Sequence, residues 1–164
     1  MAELKTRILV VDDDQRLRDL LVKYLSGEGY EVKAVADSKA MDKQLGRERY
    51  DLLVLDLMLP GMDGFGVLER LNEHMPEGTY VPVLVNTGDI SPTTKQRALS
   101  AGAKDFLGKP FDPLEVVLRI KNLLEARSLY VELQRQNEVL EEKVAQRRYE
   151  LEDAQLEILE RLGR

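Results

Sequence analysis

The sequence predicts an α/β fold, doubly wound about a parallel sheet of five strands. Two observations lead there. Short apolar runs alternate with segments that carry apolar residues at helical spacing, and three of those runs are almost uninterrupted, as strands covered by helices on both faces must be. A third observation concerns the C-terminal end, where about fifty residues without Gly or Pro predict one long helix.

Taken in order, "RILVVD" (7–12), "EVKAVA" (31–36), "YDLLVLD" (50–56), "VPVLVN" (81–86) and "KDFLG" (104–108) are the predicted strands. Helices are expected over 14–27, 38–47, 64–73 and 91–101. The first of these places Leu17, Leu20, Leu21, Tyr24 and Leu25 on one face. Gly27 and Gly29 suit a helix stop, Ser38 and Ser91 suit N-caps, and Pro92 suits a first helical turn. Tyr24, Tyr30, Tyr50 and Tyr80 are expected to pack, and His74, the only histidine, has no second His to support a metal site.

From Leu114 onward the chain is rich in Glu, Gln, Arg, Leu and Val. With Leu123 at position a, the a series runs Leu123, Tyr130, Asn137, Val144, Leu151 and Ile158. The d series runs Ala126, Leu133, Leu140, Arg147, Ala154 and Arg161. That pattern predicts a coiled-coil seam, and Asn137 at an a position is a device for fixing register in a parallel dimer. Arg147 weakens the seam, and Lys143 opposite Arg148 would repel in a parallel pair, so the charges leave the orientation open. The expected organisation is a domain over 1–124 and a dimerising, signalling helix over 125–164 that continues the domain's last helix.

Composition narrows the functional classes. The chain has 164 residues, 43% of them hydrophobic, with no Trp and a formal charge of −6. That surface gives no general attraction to nucleic acid or anionic membrane. Cys is absent, which excludes thiolate nucleophiles and Cys-type zinc sites. No stretch has the length of a membrane span or a signal-peptide core, so a cytoplasmic location is expected.

Ligands of an open parallel sheet bind outside the carboxyl ends of its strands. The first strand ends in Asp12 and Asp13, the third in Asp56 and the fourth in Asn86-Thr87, while Lys109-Pro110 follows the fifth. In the flavodoxin-like order 2-1-3-4-5 these groups converge. Three carboxylates at one edge call for a cation, and hard oxygen donors suit Mg²⁺. With Asp12 and Asp13 neutralised, Asp56 can attack phosphorus to give an acyl phosphate. Charge on the phosphoryl oxygens would be met by the metal, the Lys109 ammonium, the Thr87 hydroxyl and backbone N–H groups. Asp14, turned away where strand passes to helix, is expected to cap the first helix.

These segments, "ILVVDDD", "DLLVLDLMLPGMDGFGVL", "VPVLVNTGD" and "AGAKDFLGKPF", closely resemble the receiver domain of bacterial two-component response regulators. The resemblance covers residues 1 to about 124. It implies that Asp56 accepts a phosphoryl group from a histidine kinase or phosphotransfer protein. It also implies Mg²⁺ held directly by Asp13 and Asp56, through water by Asp12, and by the backbone carbonyl of Met58. Thr87 and Lys109 would contact the phosphoryl group, Phe106 would be the aromatic switch partner of Thr87, and Lys109-Pro110 would be cis. Asn86 and Gly88 depart from residues common at their positions, and Gly88 is expected to loosen the loop after the fourth strand. Met58 and Asp89 stand two residues after Asp56 and Thr87, where family side chains influence phosphoryl lifetime.

The tail from Leu129 resembles linkers that precede output domains, above all HD-GYP cyclic-di-GMP phosphodiesterases, while no output-domain motif follows the receiver segment. The expected function is therefore a phosphorylation switch acting through a coiled-coil homodimer on an output domain, with no separate enzymatic activity of its own. The alternatives are a stand-alone or pseudo-receiver scaffold, and an aspartyl-phosphate phosphatase of the haloacid-dehalogenase kind. The phosphatase needs an Asp where this chain has Met58, and a pseudo-receiver would lack Asp56, Asp13 or Lys109.

Overall fold

A strand buried on both faces is expected to be apolar except where it carries function, and the two central strands are apolar until their carboxyl-terminal residues. In the computed structural model, which describes residues 5–61, 63–73 and 80–163, β3 (Leu52–Asp56) and β4 (Val83–Thr87) are buried at every position. β1 (Arg7–Val11) is buried except at its first residue, whereas β2 (Glu31–Val35) and β5 (Asp105–Gly108) are the half-covered edges. All pairings are parallel and the order is β2-β1-β3-β4-β5. The predicted doubly wound sheet is thus present.

The helices are α1 (Gln15–Gly27), α2 (Ser38–Arg47), α3 (Gly64–Glu73), α4 (Pro92–Ser100) and α5 (Pro113–Leu162). Residues of α1 and α5 pack on one face with Ile8, Val10, Leu52, Val54, Leu84 and Leu107. Residues of α2, α3 and α4 pack on the other with Leu9, Val11, Leu53, Leu55, Val85 and Phe106.

The boundaries follow local chemistry. Asp14 caps α1, accepting from the Arg16 and Leu17 N–H groups. Ser91 caps α4 ahead of Pro92, as expected. The cap of α2 is Asp37 and not Ser38, because the Asp37 carboxylate accepts from Ala40 N at 2.8 Å and Ser38 already begins the helix. β4 starts two residues later than the apolar run, after Pro82, and extends one residue further because Thr87 O accepts from Lys109 N at 2.8 Å. Asp112 accepts from Leu114 N at the start of α5. His74 lies outside the described residues.

The chain divides into two compact units, Met1–Arg127 and Ser128–Arg164. Within the first, Arg127 donates to Tyr80 O and pairs with Asp51, and Lys121 pairs with Glu28, tying the first turns of α5 to the sheet and α1. The second is helix from Ser128 to Leu162, and Leu133, Leu140, Val144, Leu151 and Ile158 of the predicted seam are exposed. No described helix is long and apolar enough to cross a membrane.

Candidate functional site at the carboxyl end of the sheet

Side chains alternate along a strand, so register decides which polar residues share a face. Asp12 and Asp56 continue the alternation of Ile8-Val10 and Leu52-Val54, and therefore emerge on the α1/α5 face. Asn86 is the cross-strand partner of Asp56 on one side and of Leu107 on the other, so it shares that face. Lys109, two residues beyond Leu107, joins them. Thr87 and Phe106 alternate with Val85 and belong to the opposite face.

Asp12 and Asp56 are buried, at 0% and 3% exposure, whereas Asp13 is exposed. Lys109 Nζ lies 2.8 Å from Asp12 Oδ2 and 2.9 Å from Asp56 Oδ2, one ammonium between two carboxylates. The remaining carboxylate oxygens meet main-chain donors: Asp14 N donates to Asp12 Oδ1 and Met58 N to Asp56 Oδ1, both at 2.9 Å. Arg18 of α1 donates to the Asp12 carbonyl at 2.8 Å, a contact that sequence pattern alone does not signal.

Burial pushes the Asp12 carboxyl above its ordinary range, against the Lys109 ammonium and the Asp14 N–H, which pull it down. For Lys109, burial works to lower the pKa, but the two carboxylates outweigh it and hold the ammonium above its usual value. Lysine is therefore protonated throughout the neutral range, and the formal charges of Asp12, Asp13, Asp56 and Lys109 sum to a net negative site. Oxygens of Asp12, Asp13 and Asp56 lie within 4.8 Å of one another. Asp12 Oδ2 is buried and, beyond its ion pair, has no aligned hydrogen bond among the described residues. Three converging hard oxygens, one of them underused, fit a small divalent cation such as Mg²⁺.

The other predicted residues take distinct places. Met58 reaches Asp56 through its main chain while its side chain is 64% exposed. Thr87 is buried and meets Lys109 main chain to main chain, and its hydroxyl accepts from Asp89 N at 3.5 Å. Asp89 is held below the ordinary carboxylate range by hydrogen bonds from Thr94 and Ser91. Phe106 is buried in the α2/α3/α4 core, and Lys109-Pro110 is cis. Asn86 Oδ1 is buried with no hydrogen-bond partner among the described residues, an arrangement that costs about 1–3 kcal/mol. Gly64 lets α3 approach the segment after Asp56, since a Cβ there would stand 2.6 Å from Leu57 Cα.

Residues 8–121 match the family described as the response regulator receiver domain. The regulatory protein VanRc of Enterococcus gallinarum is 37% identical over 127 residues, covering 77% of this chain and 53% of the relative. The transcriptional regulatory protein GltR of Pseudomonas aeruginosa is 39% identical over 117 residues, covering 71% and 48%. The chain thus spans about half the length of these curated relatives. Among solved structures, a CheY-like response regulator receiver domain protein from Methanospirillum hungatei superposes with a TM-score of 0.70 at 31% identity. That match covers 76% of this chain and 98% of the other.

Proposed function

This chain belongs to the response regulator receiver domain family of two-component systems, and on that premise we propose that Asp56 is its phosphoacceptor. The observation that carries the proposal is the single ammonium of Lys109 held between buried Asp12 and Asp56 at the carboxyl end of the sheet. An Asp56 oxygen attacks the phosphorus of a phosphohistidine in a kinase or phosphotransfer protein. The P–N bond breaks, and the imidazole leaves with its electron pair and takes up a proton.

Asp12, Asp13, Asp56 and the Met58 carbonyl would hold Mg²⁺, which supplies charge neutralisation for the phosphoryl oxygens when bound. Lys109, freed from the Asp56 oxygen that becomes the bridging oxygen of the acyl phosphate, turns to a phosphoryl oxygen. Thr87 donates its hydroxyl to another, and Phe106 fills the space behind it in the α2/α3/α4 core. The exposed Met58 side chain offers no acid or base, which argues against a phosphatase of the haloacid-dehalogenase kind.

The receiver proper is assigned to 1–124 and the signalling helix to 125–164. The exposed Leu133, Leu140, Val144, Leu151 and Ile158 support a homodimer through that helix. Phosphorylation would alter the dimer and so control an output domain outside residues 1–164. In this reading the chain catalyses its own phosphorylation and dephosphorylation and no other reaction. Incubation with acetyl phosphate and Mg²⁺, followed by intact mass, is the direct test. Wild type should gain a base-labile phosphoryl adduct and Asp56→Asn should not; an unmodified wild type refutes the assignment.

A further inference from the structure

Lys109 reaches its partners by an informative route. It follows β5, yet its ammonium sits between Asp56 on β3 and Asp12 at the end of β1. In the order β1-β3-β4-β5, the distance from β5 to β3 is two strand spacings, roughly 10 Å. The Lys109 stem must therefore cross β4. On the face it crosses, the residues of that strand and its continuation are Asn86 and Gly88. Gly88 has no side chain, and the space a Cβ would take there is open, with nothing within 4 Å. Asn86 is paired in register with Asp56 and lies beneath the crossing.

Asn86 is 1% exposed, and its Oδ1 has no hydrogen-bond partner among the described residues. An apolar side chain would fill the same place without burying an unpaired amide. A donor with capacity to spare on the same face is Lys109, whose ammonium carries three N–H groups, two of them directed at Asp12 and at Asp56, the register partner of Asn86. We infer that Asn86 is a positioning residue for Lys109. Its amide oxygen takes an N–H of the ammonium as Lys109 turns from the carboxylates to a phosphoryl oxygen on Asp56. The inference rests on Asp56 being the phosphoacceptor. It places the cost of a buried, unpaired amide in the resting state and its return in the phosphorylated one.

The test pairs a rate with a melting temperature. Asn86→Leu replaces the amide with an apolar side chain of similar shape, and Asn86→Ser keeps an acceptor. Acyl phosphate formation from acetyl phosphate and Mg²⁺ is followed by intact mass for each, alone and in a Lys109→Met background. Asn86→Leu should slow formation about tenfold, the value of a hydrogen bond to a charged group. Its melting temperature should hold or rise, which a merely structural role would not give. Asn86→Ser should recover part of the rate. With Lys109 replaced, Asn86→Leu should have no further effect, as required of two residues acting as a unit. A wild-type rate for Asn86→Leu, or equal slowing in both backgrounds, overturns the inference. If wild type itself takes up no phosphoryl group, the phosphoacceptor assignment fails instead, and the two failures are distinct.

Discussion

Replacing Lys109 with Met keeps most of the stem that crosses β4 and removes the ammonium from between Asp12 and Asp56. Removing one partner of a buried ion pair costs about 3–5 kcal/mol, because the remaining charge is left unpaired. Lys109 retains 24% exposure, so solvent screens part of the loss and the lower end, about 3 kcal/mol, applies. For a domain of this size that is a fall in Tm of about 10 °C. The fall should be conditional. Without the lysine, Asp12, Asp13 and Asp56 form a more negative site, and a divalent cation that binds only the folded chain stabilises it by about 2.7 kcal/mol at one hundred times its Kd. Calorimetry at one protein concentration and near-neutral pH, with EDTA or with saturating Mg²⁺, separates the terms. The variant should melt well below wild type in EDTA and recover most of the difference in Mg²⁺, a larger gain than wild type shows. Equal melting temperatures in EDTA, or an equal Mg²⁺ shift for both proteins, would refute this account of the site's charge.

Three further outcomes concern the frame around the site. Asp14→Ala removes two N-cap hydrogen bonds and should cost about 1 kcal/mol in a thermal melt while phosphoryl uptake is retained, since the Asp14 N–H that holds Asp12 remains. Gly64→Ala would place a methyl 2.6 Å from Leu57 Cα, where only backbone can yield. It should destabilise by about 1–3 kcal/mol in denaturant titration and slow adduct formation at the adjacent Asp56. Tyr50 is pushed up to about 12 by burial and by Glu48, so its phenol should ionise after an ordinary tyrosine, whose value is 10.0. Because the folded value is raised, the stability it contributes is present below pH 10 and lost as pH rises toward 12. Phenolate absorbance in Tyr50→Phe should lose amplitude only at that alkaline end.

How far the sequence could be read depended on the range of the physics involved. β3 and β4 were legible because burial on both faces favours nearly continuous apolar runs, and Asp14 because a cap acts within three residues. Adjacent Asp37 and Ser38 are both good caps, so composition could not decide between them; the actual backbone geometry does. The convergence of Asp12, Asp13 and Asp56 followed from strand order alone. That Lys109 meets Asp12 as well as Asp56 did not, since it depends on register across four strands. Asn86 could be seen only as a departure from a common pattern; its missing partner is a property of burial. In α5 the heptad was plain, and its residues Leu133, Leu140, Leu151 and Ile158 are exposed, so packing within the chain offered no check on it.

Strand alternation also bears on how, under the proposed function, so small a site would act on the domain. Asp12, Asp56, Asn86 and Lys109 stand on positions that continue the core beneath α1 and α5. Thr87 and Phe106 continue the core beneath α2, α3 and α4. The two sets meet at the carboxyl end of β4 and β5, where Lys109 N donates to Thr87 O. On the proposed assignment, a group added to Asp56 that met Lys109 on one side and the Thr87 hydroxyl on the other would draw on both cores at once. Close-packed cores respond by repacking between discrete arrangements more readily than by graded deformation. Since α5 begins in the first of these cores with Val116, Val117 and Ile120, a change at Asp56 would, on the proposed function, reach the first turns of α5 through packed side chains.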